Sequence, residues 1–253
     1  MTPDNKQTKF LRWLFPLVCS IILVMMTPYT LADTPAAGKT VSPPPSVNLD
    51  YVVRANYSAM SIGGTSNIKW KQSGSEYATQ SSARGNLVGQ LLDTSSKGII
   101  GTKGLKPSLF TEKRRNRDET RTTFDQDSKA LKFSDSGESL FFSDGIQDQA
   151  SIVWQLVSMA RAQPENFTPG KKLTFMVSGR NRIDQWDFTI VDEITFLTSL
   201  GEIKAVHLIR TDKKGKTTEV WLAPDREWYP VKLVFFDKKG LRLEQIIKKI
   251  TPG

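Results

Sequence analysis

Residues 171–190 read KKLTFMVSGRNRIDQWDFTI, and the spacing of their apolar side chains decides the fold class. Leu173, Phe175 and Val177 alternate with Lys172, Thr174 and Ser178; Trp186, Phe188 and Ile190 alternate with Asp187 and Thr189. A period of two puts the apolar side chains of an extended strand on one face and leaves the other to water. The same rhythm recurs further on, where Tyr229, Val231, Leu233 and Phe235 alternate with Pro230 and Lys232. The chain is therefore read as mainly β and antiparallel, since one-sided strands belong to sheets with one solvated face.

Turn chemistry joins these strands into hairpins. Asp212-Lys213-Lys214-Gly215 and Asp237-Lys238-Lys239-Gly240 are the same four residues, each between two strand-like runs. The Asp opens such a turn and the Gly supplies the positive φ that closes it. The lysines read as soluble hairpin tips. Residues 112–121, in which Lys113, Arg114, Arg115, Arg117 and Arg121 mix with Glu112, Asp118 and Glu119, read as another exposed hairpin.

One segment breaks the rhythm. Ile152, Val153, Leu156, Val157 and Ala160 recur at three- and four-residue spacing and share one helix face. With Asp148 in the N-cap position, Arg161 near the negative C-terminal pole and Pro164 as a stop, a helix is predicted over 148–162. A single amphipathic helix among roughly a dozen strands must lay its apolar face on the apolar sheet face. The expected architecture is a curved antiparallel sheet, or incomplete β-barrel, with one helix packed on its apolar face.

The N-terminus is organised differently. Lys6, Lys9 and Arg12 precede an apolar run over 13–26, and Thr30-Leu31-Ala32 follows. That order is a secretory signal peptide over 1–32, cleaved near Ala32. The run is shorter than the ~20 residues of a membrane span and contains Pro16 and Ser20, so no integral membrane segment is expected after cleavage. Cys19 follows Val18 inside the run, which does not suit lipidation. Residues 33–50, with Pro35, Gly38, Pro43, Pro44 and Pro45, read as an extended linker, and 51–250 as a single β domain.

Cleavage removes Lys6, Lys9, Arg12 and Asp4 and takes the formal charge from +9 to +7. It also removes the only cysteine, which excludes disulfides, a thiol nucleophile and Cys-ligated metals from the exported chain. A basic protein of the periplasm is not expected to meet nucleic acid. Its charge serves solubility or attraction to the anionic surfaces of the envelope.

Catalytic motifs are missing. His207 is the only histidine, and on a strand over 203–210 its same-face neighbours are Ala205 and Ile209, which predicts a structural imidazole held by a backbone hydrogen bond. Gly98, Gly101 and Gly104 match neither a dinucleotide fingerprint nor a phosphate loop and read as strand bends. The carboxylate pairs Asp125/Asp127, Asp144/Asp148 and Asp192/Glu193 are the candidates for a hydrolase, the third-ranked reading. Trp70, Trp154, Trp186, Trp221 and Trp228 read first as core and second as walls of an apolar ligand site. The contacts expected for such a ligand are Trp154, Phe175, Trp186, Phe188 and Phe235; no cofactor or metal is expected.

A pattern over most of the chain carries a resemblance. It comprises residues 51–63, Ser96-Lys97-Gly98, Gly104-Leu105-Lys106-Pro107, Thr123-Phe124-Asp125, Gln147-Asp148-Gln149-Ala150-Ser151, Val220-Trp221-Leu222-Ala223 and Tyr229-Pro230-Val231. In these the chain resembles the Domain of Unknown Function 3108 family of exported proteobacterial proteins, over about residues 51–250. The resemblance implies a periplasmic, mainly β protein and brings no catalytic residue. The strand pattern and the hairpin over 221–231 are more loosely similar to the lipoprotein-carrier group, whose open barrels shield acyl chains. The sequence thus points first to a non-catalytic envelope module that binds a lipid or other apolar ligand, and second to a structural or protein-interaction component of the envelope.

Overall fold

A computed structural model describes residues 41–58 and 60–253; the expected signal peptide and residues 33–40 lie outside the described residues. The strands are β1 (Val47–Tyr57), β2 (Met60–Ser73), β3 (Glu76–Gly85), β4 (Gly89–Ile100), β5 (Leu105–Arg114), β6 (Thr120–Asp125), β7 (Ala130–Phe133), β8 (Ser139–Phe141) and β9 (Gln147–Asp148). The helix α1 (Ser151–Ala162) follows, and then β10 (Lys172–Ser178), β11 (Ile183–Thr198), β12 (Gly201–Thr211), β13 (Thr217–Ala223), β14 (Tyr229–Phe236) and β15 (Arg242–Pro252).

All fifteen strands form one sheet in the order β8-β7-β6-β5-β4-β3-β2-β1-β15-β14-β13-β12-β11-β10-β9. Every neighbouring pair is antiparallel except β9–β10. Each half is a meander of hairpins, and the halves join where β1 pairs with β15, Val47 opposite Pro252 and Asn56 opposite Arg242. The sheet is open and curls around α1, as the alternation predicted.

The curl is fastened by side chains. Gln147 Nε2 donates to Leu105 O at 2.8 Å, and Ser96 Oγ donates to Asp148 Oδ2 at 2.5 Å, so β9 is tied across to β4 and β5. Gly98 sits at a bulge in the β4–β5 ladder, where a Cβ would lie 2.1 Å from Lys106 O. Only glycine permits that approach.

The helix is buried nearly all round, not on its apolar face alone. Ile152, Trp154, Leu156 and Ala160 are buried, and so are Ser151, Gln155 and Ser158. Each of those polar groups is satisfied: Gln155 Oε1 accepts from Leu105 N at 2.8 Å and Ser158 Oγ donates to Trp154 O at 2.7 Å. Trp154 stacks on Trp70 with centroids 4.7 Å apart, and its Nε1 donates to Thr79 Oγ1 at 2.8 Å. Burying polar positions costs little when each finds a partner.

Two sequence expectations are corrected. The helix starts at Ser151 with Ala150 as its N-cap residue, because Asp148 is held extended in β9 opposite Ser178. Asp148 Oδ1 still accepts from Ala150 N and Ser151 N, each at 2.8 Å, so it serves the first turn from outside the helix. The proline-rich stretch is not a linker as far as residue 50: Val41 is buried and β1 begins at Val47. Prolines cannot donate but their carbonyls accept, and Pro44 O takes Trp70 Nε1 at 3.0 Å while Pro45 O takes the Tyr229 hydroxyl at 3.1 Å.

Over the middle of the second half both sheet faces are covered. Val220, Trp221, Leu222 and Ala223 are consecutive and all buried. The long β11–β12 hairpin explains this. Past a register shift between Ile190 and Asp192 its tip reaches β15, with Ser199 Oγ donating to Lys248 O at 2.9 Å, and Phe196 lies under Lys232 Nζ at 5.5 Å.

Candidate functional site

In a meander, alternate hairpins turn at the same end of the sheet. Seven do so at one end here: β1–β2, β3–β4, β5–β6, β7–β8, β10–β11, β12–β13 and β14–β15. The cross-strand register just inside this end places a row of side chains on the concave face. Ile62 lies opposite Ala55, Ala55 opposite Leu243, Leu243 opposite Phe235, Phe235 opposite Thr218 and Thr218 opposite Arg210. Arg210 continues the inward parity of Leu208, which is fully buried in the core.

The row ends on an aromatic cluster. The Arg210 guanidinium stacks over the Trp186 ring at 3.9 Å, and Trp186 lies opposite Phe175. Phe188 packs beneath, tilted against Trp186 at 6.1 Å and edge-on to Phe175 at 6.4 Å. Phe188 is buried, while Phe175, Trp186 and Phe235 are half-buried at the mouth.

Arg210 is the electrostatic feature of this mouth. It is only 7% exposed, yet its Nε has no hydrogen-bond partner and it makes no ion pair among the described residues. Burial holds its pKa below the usual guanidinium range, partly offset by the fields of Asp212, Asp184 and Asp187. Guanidinium stays charged in proteins, so the mouth presents a desolvated cation beside apolar surface. The π-face of Trp186 offsets part of that cost.

The five expected ligand contacts thus divide. Phe175, Trp186, Phe188 and Phe235 lie along or under the mouth row, whereas Trp154 is deep in the interior between Trp70 and Thr79. Arg210 was not among them, although the parity of Val206, Leu208 and Arg210 along β12 was available in the sequence.

The groups weighed for chemistry are committed elsewhere. His207 is held by carboxylates, not by backbone: Nε2 is 2.9 Å from Glu219 Oε2 and Nδ1 is 3.3 Å from Asp192 Oδ1. Its ring stacks on Trp221 at 4.2 Å, on the face opposite the mouth. Asp125 Oδ1 accepts from the amides of Asp127 and Ser128 in its own turn, Asp144 is paired with Lys129, and Glu193 with Lys204. Asp148 is fully buried, and desolvation, opposed by hydrogen bonds from Ser96, Ser151 and Ala150, pushes its pKa up to about 6. The Tyr77 hydroxyl lies 3.1 Å from Ser96 Oγ and completes this internal chain. No group of three His, Cys, Asp or Glu suited to a metal ion occurs among the described residues.

A family model described as "Protein of unknown function (DUF3108)" matches residues 50–245. No curated protein matches the chain. Among solved structures, a β-barrel-like protein of the DUF1849 family from Brucella abortus is similar with a TM-score of 0.57 at 11% identity, covering 83% of this chain and 99% of that one. That likeness shows the fold alone. A putative outer membrane lipoprotein-sorting protein domain from Vibrio parahaemolyticus aligns over 86% of each chain at 10% identity, with a TM-score of 0.24 that carries no argument.

Proposed function

The chain belongs to the DUF3108 family of proteins of unknown function, and we propose that it is a non-catalytic module of the bacterial envelope that binds an anionic amphiphile at the mouth of its curved sheet. The observation that carries this reading is Arg210, a buried guanidinium without an ion-pair partner in a row of apolar side chains. An acyl chain lies along Phe235, Trp186 and Phe175, and its carboxylate or phosphate meets the guanidinium. Such a ligand removes apolar surface from water and supplies the missing counter-charge, so the two terms favour the same molecule. Export through a signal peptide cleaved near Ala32 places the module in the periplasm, where such amphiphiles occur. No helix among the described residues is long and apolar enough to cross a membrane.

Binding of a fluorescent fatty acid, compared with the fatty alcohol of the same length, tests the reading. Arg210→Met should weaken the acid roughly tenfold to a hundredfold, the worth of a charge-assisted hydrogen bond, and leave the alcohol unchanged. Phe235→Glu should weaken both. Absence of saturable binding, or equal loss of acid and alcohol in Arg210→Met, would sink the proposal. A second reading, docking of another envelope protein, is favoured by the sheet edge at β8, where Phe141 is 85% exposed. Loss of a copurifying protein in Phe141→Ser with ligand binding intact would support it.

A further inference from the structure

We propose that the rim around this mouth docks on the surface of an anionic lipid bilayer, with the hairpin tips β1–β2 and β3–β4 entering the interface and the lysine tips β12–β13 and β14–β15 lying on the lipid headgroups. The inference goes beyond the ligand reading and holds whether or not the mouth takes a ligand.

Two independent features coincide at this end of the sheet. The first is exposed apolar surface on tips that do not need it for packing. Leu87, in the β3–β4 turn, is 91% exposed, and Met60 and Tyr57, flanking the β1–β2 turn, are 62% and 44% exposed. Both turns belong to one surface, since Asn86 N donates to Gly63 O at 3.0 Å. Single exposed apolar side chains are ordinary, but neighbouring ones on projecting tips mark an interaction site.

The second feature is charge without compensation. Lys213, Lys214, Lys238 and Lys239 are exposed and make no ion pair among the described residues. Their turns fold alike: Asp212 Oδ1 accepts from Lys214 N and Lys216 N, and Asp237 Oδ1 accepts from Lys239 N and Leu241 N. Each aspartate is thereby turned onto its own backbone, and each tip presents only cations outward. The two lysine tips touch, because a Cβ on Gly215 would lie 3.0 Å from the Lys238 side chain. The β14–β15 tip is next to the apolar tips through the pairing of Asn56 with Arg242.

A rim that is apolar on one arc and cationic on the next fits a bilayer, in which hydrocarbon lies a few ångströms beneath anionic headgroups. A protein partner would have to reproduce both layers. In the docked orientation the mouth row from Ile62 to Phe175 opens toward the lipid.

Cosedimentation with vesicles of phosphatidylcholine containing about a third phosphatidylglycerol, against phosphatidylcholine alone, tests this by the composition and salt dependence of surface binding. Binding should need the anionic lipid and weaken steeply with salt. Met60→Asp with Leu87→Asp, and separately Lys213, Lys214, Lys238 and Lys239→Gln, should each reduce binding at least tenfold. These side chains are solvent-exposed, so unchanged melting curves check that the variants fold. Every variant carries the same N-terminus, so residues 1–40 contribute equally. Both rim variants should keep the fatty-acid affinity of the wild type, which separates failure of this proposal from failure of the ligand reading. Leu197→Asp, at the opposite end and 76% exposed, should leave vesicle binding unchanged. Equal binding to neutral and anionic vesicles, insensitivity to both rim variants, or loss in Leu197→Asp would overturn the proposal and leave a solvated basic rim only.

Discussion

Asp148→Asn separates the charge of the buried carboxylate from its hydrogen bonds. The asparagine oxygen still accepts from Ala150 N and Ser151 N, which lie 2.8 Å from Asp148 Oδ1. Its NH2 group faces Ser96 Oγ, which turns its own proton toward the Tyr77 hydroxyl 3.1 Å away. The rearranged chain costs about 1 kcal/mol at every pH. The charge term is different. Burial raises the pKa of Asp148 from 3.8 to about 6, which corresponds to about 3 kcal/mol. Because the folded-state value lies above the unfolded one, the native protein holds a proton that the unfolded chain has released between the two values. The wild type therefore loses this stability as pH rises from about 4 to about 6 and does not regain it above. Neutral asparagine has no such loss. Stability of the variant relative to wild type should improve by about 2–3 kcal/mol between about pH 4 and about pH 7.5. Urea unfolding followed by the fluorescence of the buried Trp70 and Trp154 gives both differences. An identical difference at the two pH values would refute the desolvated carboxylate.

Gly98→Ala should destabilise by about 2 kcal/mol or more, since its Cβ meets the Lys106 and Pro107 backbone at 2.1 and 2.9 Å. Gly74→Ala, at a positive φ of 57° but with open space around it, should cost only the backbone strain of about 1–2 kcal/mol; equal costs in chemical denaturation would remove the argument from close approach. His207→Ala should cost about 1–3 kcal/mol, because it leaves Asp192 and Glu219 facing without the ring between them. Fatty-acid affinity should be unchanged by that variant, since the ring is on the covered face; a loss of affinity in folded protein would place His207 in the site.

Much of the architecture was legible because local patterns and tertiary needs agree. The alternation through Trp186, Phe188 and Ile190 gave β11 and its inward face, and the paired tetrapeptides gave two hairpins whose glycines adopt φ of 72° and 84°. Where burial comes from two sides, alternation carries no information, and the consecutive buried residues Val220-Trp221-Leu222-Ala223 give no sign of which face is inner. That required the β11–β12 tip folded over β15. His207 meets Asp192 only because the ladder shifts between Ile190 and Asp192, a shift without a local signature. The mouth was partly readable: Phe175, Trp186, Phe188 and Phe235 were identified by parity along single strands. The place of Arg210 was not legible, because only the register across six strands shows that its inward position is a rim.

The pairing of β1 with β15 makes the seam in the middle of the sheet the join between the first strand and the last. Gly253 N donates to Ser46 O at 2.9 Å and extends the seam one step past the paired residues of β15. Neither meander can acquire its central neighbour until β15 has been made, and contacts of such long sequence separation form slowly. The same arrangement predicts a late, all-or-none closure, with one edge of β1 unpaired until β15 arrives.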